Sequence, residues 1–427
     1  MAGAPSPPAP AAPSPGGPRP VRLSRVLRGL AAGLGAALLA LVLVEGGLRL
    51  FAPQGLVTEH FRYEALPGGD AGGPGYRLQP GLFLPGRVGG RVNGLGLRGP
   101  EVPADDGRPR LVVLGDSFVY GAGVAEAETF AAGLADAVGG RGVVLNAGTP
   151  GYGTARALAW LETFGDELAP DLVLLAAFVG NDVTDNLDQE APRIVDGRLF
   201  LDGDPDASAT RDRLVILRNR LHLWRLWERA RHGTAAPAGA PEDRAEADAA
   251  ARAAALERVH DTFARQESER LGVYLPRGAG ETDVDRRIAT GYAMTELALE
   301  GLAAWCAERD VALGVVLIPD VVQVDARLRE RVLTGVGLAE ADLDWERPQR
   351  ELATMAAALP APVVDLRASM AAAQADLRAD GDPSDMGLYL LGDSHWSAAG
   401  HAHATARLVE AWRAGAWGVA WGALVTD

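Results

Sequence analysis

The sequence predicts an α/β fold in which a parallel β-sheet is covered by helices. Two observations carry this. From Leu111 onward, short apolar runs rich in β-branched residues alternate with longer helical patterns. The 427 residues are also 48% apolar against 23% charged, enough for a large core. The length suits two or three domains, or one α/β domain with a long insertion, and composition does not choose between them.

The elements follow in chain order. Residues 1–20 are almost all Ala, Pro, Gly and Ser, with too little bulky apolar surface to offset the entropy of ordering, so residues 1–25 are expected to be a disordered tail. Arg19, Arg22, Arg25 and Arg28 then precede an uncharged apolar run over residues 29–44, broken at Glu45 and Arg49. The run is short of a bilayer span, but Val26, Leu27 and a snorkelling Arg28 extend it. A signal peptide would end in a small-x-small cleavage site, and Leu41-Val42-Leu43-Val44-Glu45 offers none. A buried core helix has the same composition. The expectation is a transmembrane anchor over residues 26–48, with the arginine cluster holding the tail in the cytoplasm and all that follows outside it.

After a lead-in over residues 49–109, strands are expected at residues 111–114, 143–146, Leu172–Phe178, Ala312–Ile318 and 362–366. The alternation breaks between the third and fourth, giving an insertion at about residues 190–290 within a domain spanning 110–427. Inside it, Asp196-Gly197 has the turn chemistry of a β-hairpin, and residues 234–252, rich in Ala, Pro, Glu and Asp, read as a solvated linker. Over residues 214–232, Leu217, Leu221, Trp224 and Trp227 recur at helical spacing among arginines. Such a helix packs its apolar stripe onto the main domain, or lies on an anionic membrane surface.

Charge and cysteine content remove several function classes. A net charge of −15 repels a phosphate backbone, so no nucleic-acid partner is expected. Cys306 is the lone cysteine, which leaves no intramolecular disulfide and no thiolate metal cluster, and its neighbours read as a helix interior. No cofactor and no metal is implied.

The chemistry-bearing residues lie at strand ends. Gly115-Asp116-Ser117 closes the first apolar strand, placing a hydroxyl at the carboxyl edge of the sheet, where open α/β folds bind ligands. The tripeptide recurs at Gly392-Asp393-Ser394, so context separates the two: the first follows a buried strand, the second sits beside a histidine in a polar loop. A serine nucleophile needs a base, and the base an orienting group. Among the seven histidines, His395 stands two residues after Asp393, and in extended backbone i and i+2 project to one side. His401 and His403 fall on the following helix, where packing roles are expected. Asp393-Ser394-His395 is also compatible with a cap or a metal-ligand pair, though no third ligand is evident. Donors for an oxyanion are offered by the glycines of the loop from Asn146 to Thr154 and by Asn181 in Gly180-Asn181-Asp182. Plain turn chemistry explains each loop singly, but it does not explain their coincidence at three consecutive strand ends.

In order, Gly115-Asp116-Ser117 with Gly121, the loop from Asn146 to Thr154, Gly180-Asn181-Asp182 and Asp393-x-His395 resemble the four blocks of the SGNH (GDSL-type) hydrolases, bracketing residues 111–412. The resemblance implies a flavodoxin-like three-layer α/β/α fold with a five-stranded parallel sheet. It also implies Ser117 as nucleophile, His395 as base, and an oxyanion hole from the Ser117 N–H, the Gly151 N–H and the Asn181 amide. The family pattern is Asp-x-x-His. Here one residue is missing, so Asp385 and Asp382 stand beside Asp393 as orienting acids. An Asp-x-His-Trp run like that ending in Trp396 is similar to one in alginate O-acetyltransferase-like proteins. Asn93-Gly94-Leu95-Gly96-Leu97-Arg98-Gly99 and the anchor resemble the membrane-tethered bacterial members. The expected activity is a serine esterase acting on an O-acyl ester of a glycan, lipid or small molecule outside the cytoplasm. An O-acyltransferase of a cell-envelope glycan and a non-catalytic carbohydrate-binding module are the alternatives.

Overall fold

The computed structural model describes residues 21–51, 61–66, 73–84, 89–187, 193–200, 208–231, 270–276, 283–380 and 387–425. Packing divides the chain into two units, residues 1–58 with 214–235 and residues 59–213 with 236–427.

The larger unit is built on a five-stranded parallel sheet. Its strands are β1 (Arg110–Gly115), β2 (Val143–Gly148), β3 (Leu172–Phe178), β4 (Ala312–Ile318) and β5 (Val363–Asp365), in the spatial order β5-β4-β3-β1-β2. Every residue of β1 and β3 is buried, and central strands covered on both faces read accordingly as unbroken apolar runs. Parallel strands need crossovers, and crossovers are right-handed. The step from β1 to β2 runs toward one edge of the sheet, and the step from β2 to β3 runs back over β1. The two connecting helices, α3 (Phe130–Val138) and α4 (Thr154–Leu168), therefore lie on opposite faces. The helix contacts agree. On one side α4 packs against α8 (Asp283–Glu308), and on the other α3 packs against α9 (Ala398–Arg413). Cys306 is buried within α8, as expected, and burial pushes its thiol up to about 12, which leaves it inert.

The register brings three strand ends level. Gly115 pairs with Gly148 on one side and with Ala176 on the other. The chain order reverses at β1, so the crevice outside the carboxyl ends of β1, β2 and β3 is the topological switch point of the sheet.

The lead-in segment is not a bare linker. Tyr63–Ala65 pairs antiparallel with Tyr76–Leu78, Phe83–Leu84 pairs with Gly90–Arg91, and Arg98 forms a bridge to Asn146 on the edge strand β2. The expected hairpin forms between Arg193–Val195 and Arg198–Phe200, with Asp196 at φ 52° and Gly197 at φ 80°, as a two-residue turn of this hand requires.

In the smaller unit, α1 runs over Val21–Phe51, and its Leu27–Phe51 portion is long and apolar enough to cross a membrane. The arginine-rich segment expected as one helix over residues 214–232 is two, α6 (Ala209–Asn219) and α7 (His222–Arg231). The break has a local cause. Glu45 of α1 accepts the His222 and Leu223 amides at 3.0 and 2.9 Å, capping α7 with a carboxylate from outside its own sequence, while Arg49 donates to Glu45 at 2.8 Å. Of the expected stripe, Leu217 and Trp227 are exposed and Leu221 and Trp224 half-buried, so it is covered only in part. Residues 21–25, expected as the end of a disordered tail, are the first turn of α1, while the rest of that tail, the linker of residues 234–252, and Asp382 and Asp385 lie outside the described residues.

Candidate active site

Ser117 is placed by a turn that only glycine can enter. Gly115 closes β1 at φ 153°, and a Cβ there would meet Val119 Cγ2 at 2.5 Å and Ala176 O at 2.6 Å. The chain then enters the four-residue helix α2 (Ser117–Tyr120). Asp116 caps it, accepting the Phe118 N–H at 2.8 Å, which puts Ser117 at the first helical position with its hydroxyl at the mouth of the switch point. The next strand end passes so close that a Cβ on Gly148 would meet Tyr120 N at 2.1 Å.

The histidine comes from the far end of the chain. A narrow turn, with the Leu390 amide donating to His395 O at 2.9 Å and Tyr389 bridged to Trp396, delivers His395 to Ser117. His395 Nε2 lies 2.7 Å from Ser117 Oγ, and Nδ1 lies 2.6 Å from Asp393 Oδ1. The same carboxylate oxygen accepts the His395 backbone N–H at 3.1 Å, so the acid grips both the ring and the main chain of the residue it orients. A carboxylate can only accept, so the proton resides on Nδ1 and the Nε2 lone pair faces the serine hydroxyl. Burial works to raise the Asp393 pKa, but its bonds to His395 outweigh that and hold it below the usual carboxylate range. Asp393 does not cap α9. Ser397 does, accepting the Gly400 N–H at 3.3 Å.

The histidine loop rests on an aromatic floor. Trp396, fully buried, meets Phe118 edge-on at 5.3 Å, and Phe118 lies 5.1 Å from the His395 ring. His401 packs beneath, accepting the Phe130 N–H at 3.2 Å. Burial, helped by the nearby Arg98 cation, pushes its pKa down to about 3 and keeps it neutral. His403 lies 3.2 Å from Ser369 Oγ. Neither joins Ser117.

The two other residues singled out from the sequence stand on the flanking loops. Gly151 occupies the turn after β2 at φ 84°. That turn is held by the lead-in: Tyr152 donates its hydroxyl to Tyr76 O, Tyr76 donates to Pro150 O at 3.3 Å, and their rings meet edge-on at 5.0 Å. Asn181 occupies the turn after β3, where its carbonyl accepts from Thr184 Oγ1 at 2.8 Å and from the Asp185 amide at 2.7 Å. Ser117, His395 and Asp393 thus form a hydrogen-bonded chain with the imidazole between the other two, and Gly151 and Asn181 stand at the neighbouring strand ends.

Two features escaped the sequence reading. The first is a pair of acids, Asp116 and Asp182, fully buried in the turns that carry Ser117 and Asn181. Burial pushes Asp116 up to about 6, and burial together with the Asp116 charge raises Asp182 well above its ordinary value. Asp182 accepts the Phe178 N–H at 3.1 Å. Asp-Ser and Asn-Asp dipeptides carry no sign in the sequence that the two acids meet electrostatically. Arg98 is the other, described below.

No family model matches the chain, and no curated protein matches it. Solved structures similar to it include an acetyl xylan esterase, AlAXEase, at 12% identity and TM-score 0.37 over 71% of this chain and 98% of that one. LAE5, an alpha/beta hydrolase enzyme from the metagenome of Lake Arreo, Spain, aligns at 15% identity and TM-score 0.34 over 74% and 97%. A catalytic mutant of Axe2, an acetylxylan esterase from Geobacillus stearothermophilus, aligns at 12% identity and TM-score 0.32 over 71% and 93%.

Proposed function

We propose that this chain is a serine esterase of the SGNH type, with Ser117 as nucleophile, His395 as base and Asp393 as the acid that orients it. The observation that carries the proposal is the unbroken contact from Ser117 Oγ through His395 to Asp393, at 2.7 and 2.6 Å, in the crevice where the strand order reverses. As Oγ bonds the acyl carbon, Nε2 takes the hydroxyl proton and the carbonyl electron pair moves onto oxygen. The Ser117 N–H, the Gly151 N–H and the Asn181 amide receive that charge. The imidazolium returns the proton to the departing alkoxide as the C–O bond breaks, leaving an acyl-serine and a free alcohol. Water repeats the sequence, releasing the carboxylic acid and restoring Ser117.

Support for a catalytic rather than a carbohydrate-binding role lies in Ser117, Asn181 and His395 all standing, since a decayed site has no reason to keep the three together. The acyl-ester substrate lies outside the cytoplasm on this reading, with α1 as a single membrane anchor. The arginines before residue 29 and the uncharged run after them support that orientation. A fluorophosphonate probe on the full-length chain in detergent tests the proposal. Stoichiometric labelling of Ser117, abolished in Ser117→Ala, is expected, and an unlabelled, folded chain overturns it. Adding an acceptor alcohol to the esterase assay separates hydrolysis from acyl transfer. Alkaline phosphatase fused after Pro109 reads the topology, and an inactive, well-expressed fusion contradicts it.

A further inference from the structure

The catalytic proposal makes no use of the Asn93 to Gly99 motif, yet its arginine reaches the nucleophile helix. We infer that Arg98 is a positioning residue for Ser117, a clamp that fixes the orientation of α2 from its carboxyl end. The inference rests on the esterase reading above.

A helix of four residues cannot hold its own direction, because the carbonyls of its last turn have no intrahelical partners. In α2 each of them is met. Ser117 O accepts the Gly121 and Ala122 amides at 3.0 Å, and Phe118 O accepts the Gly121 amide at 3.2 Å. Val119 O accepts from Asn146 Nδ2 at 2.8 Å. Beyond that point the backbone supplies one further bond, from the Val124 amide to Gly121 O at 3.3 Å, and Arg98 supplies the rest. Its Nη1 donates to Tyr120 O at 2.7 Å and Gly121 O at 2.6 Å, and its Nη2 donates to Val124 O at 2.7 Å. The guanidinium also lies 4.6 Å from the Tyr120 ring centroid.

The clamp is itself anchored. Arg98 is 3% exposed and its backbone bridges to Asn146, the residue that holds Val119 O. Two neighbouring side chains on one bridge thus serve adjacent carbonyls of one turn. A planar fork holds three carbonyls in one fixed geometry, which a compact ammonium with rotatable donors does not impose. The cation also faces the carboxyl end of the helix, where backbone dipoles favour positive charge. Ser117 is at the other end of the same turn, so any rotation of α2 swings Oγ away from His395 Nε2. A displacement of 1 Å in such a site costs about 10²-fold in rate.

The test uses the full-length chain and compares wild type, Arg98→Lys and Arg98→Ala. Read-outs are kcat and KM on p-nitrophenyl acetate, the rate of inactivation by a fluorophosphonate, the thermal midpoint, and amide hydrogen exchange over residues 117–124. In Arg98→Lys, kcat and the inactivation rate are expected to fall by about 30- to 100-fold with KM changed less than about threefold. Exchange of the Gly121 and Ala122 amides should speed up while the β1 and β3 amides stay protected. Millimolar guanidinium, well below denaturing levels, should restore Arg98→Ala at least in part and leave wild type unchanged. Wild-type kcat in a folded Arg98→Lys overturns the inference, as does a loss that merely tracks the unfolded fraction. If Arg98→Ala does not fold, Arg98→Lys alone decides. A wild-type chain that is neither labelled nor active removes the esterase reading, and the exchange arm then judges the clamp by itself.

Discussion

The tripeptide Gly-Asp-Ser occurs twice in this chain, and the two copies share more than their letters. Each begins with a glycine at positive φ, Gly115 at 153° and Gly392 at 70°. In each, the aspartate Oδ1 accepts the backbone N–H two residues on, from Phe118 at 2.8 Å and from His395 at 3.1 Å. The local turn is the same one that Asp and Asn form throughout proteins. What differs is the continuation. After Asp116 the chain enters a helix, so the carboxylate is a cap and the serine faces the crevice. After Asp393 the chain bends through His395 to the bridge at Trp396, so the carboxylate lies against an imidazole, and Ser394 is buried at 4% exposure. On the proposed reading, one recurrent turn thus yields a nucleophile in one place and an orienting acid in the other, and the surroundings choose between them.

Exchanging the parts tests that comparison. The largest loss is expected for Ser117→Ala or His395→Ala, about 10⁵- to 10⁶-fold in kcat on an activated ester, because nucleophile and base act as one unit. Comparable activity in Ser117→Ala and Ser394→Ala would erase the distinction between the copies. Asp393→Asn keeps the turn but loses the tautomer, and should cost about 10³- to 10⁴-fold. Asp382→Asn and Asp385→Asn, assayed alongside, should stay near wild type, and the reverse ranking would move the orienting role away from Asp393. Asn181→Ala should lower kcat by about 10²- to 10³-fold, roughly 2.7–4 kcal/mol, with the thermal midpoint little changed. An unchanged rate would remove Asn181 from the oxyanion hole. Ser394→Ala should leave kcat/KM within about twofold of wild type.

The smallest effect concerns pH. Asp393 is held ionised by its histidine, whereas Asp116 and Asp182 are held toward their neutral forms by burial. A folded-state pKa raised from 3.8 to about 6 gives stability that is fully present below the unfolded value and is lost as pH rises through 6. Asp182→Asn removes one of the two acids while keeping an acceptor for the Phe178 N–H. Its thermal midpoint should therefore gain about 2–4 °C over wild type at pH 8 and less at pH 5. A gain equal at both pH values would mean that the paired acids are not the cause.

The sequence makes some of this plain and leaves the rest hidden for a physical reason. Apolar runs marked the five strands to within a residue or two, most plainly β1 and β3, which are buried on both faces and so must be apolar nearly throughout. The loops after β1, β2 and β3 were legible because turn glycines and the residues of acyl-transfer chemistry share the same few positions. The Asp393–His395 contact was legible as an i to i+2 relation. Arg98, the Asp116–Asp182 pair and the break between α6 and α7 were not. Each depends on a partner distant in sequence: Arg98 on the carbonyls after Tyr120, Asp116 on Asp182, and the α7 cap on Glu45. A motif records spacing along the chain, and it cannot record which distant backbone a side chain will meet.

One contact has a bearing on how the molecule comes into being. Ser117 and His395 are separated by 278 residues, so the last hydrogen bond of the site closes one of the longest loops available to this chain. Contacts of such high contact order form late, since the entropy of closure has to be met before the pairing rewards it. During synthesis, Ser117, both flanking loops and all five sheet strands emerge before His395 exists. On the esterase reading, a nascent or truncated chain ending before Asp393 therefore carries the serine as an ordinary alcohol, and competence arrives only when the carboxyl-terminal turn docks. Acquisition of fluorophosphonate reactivity is for that reason a clock for the final step of folding.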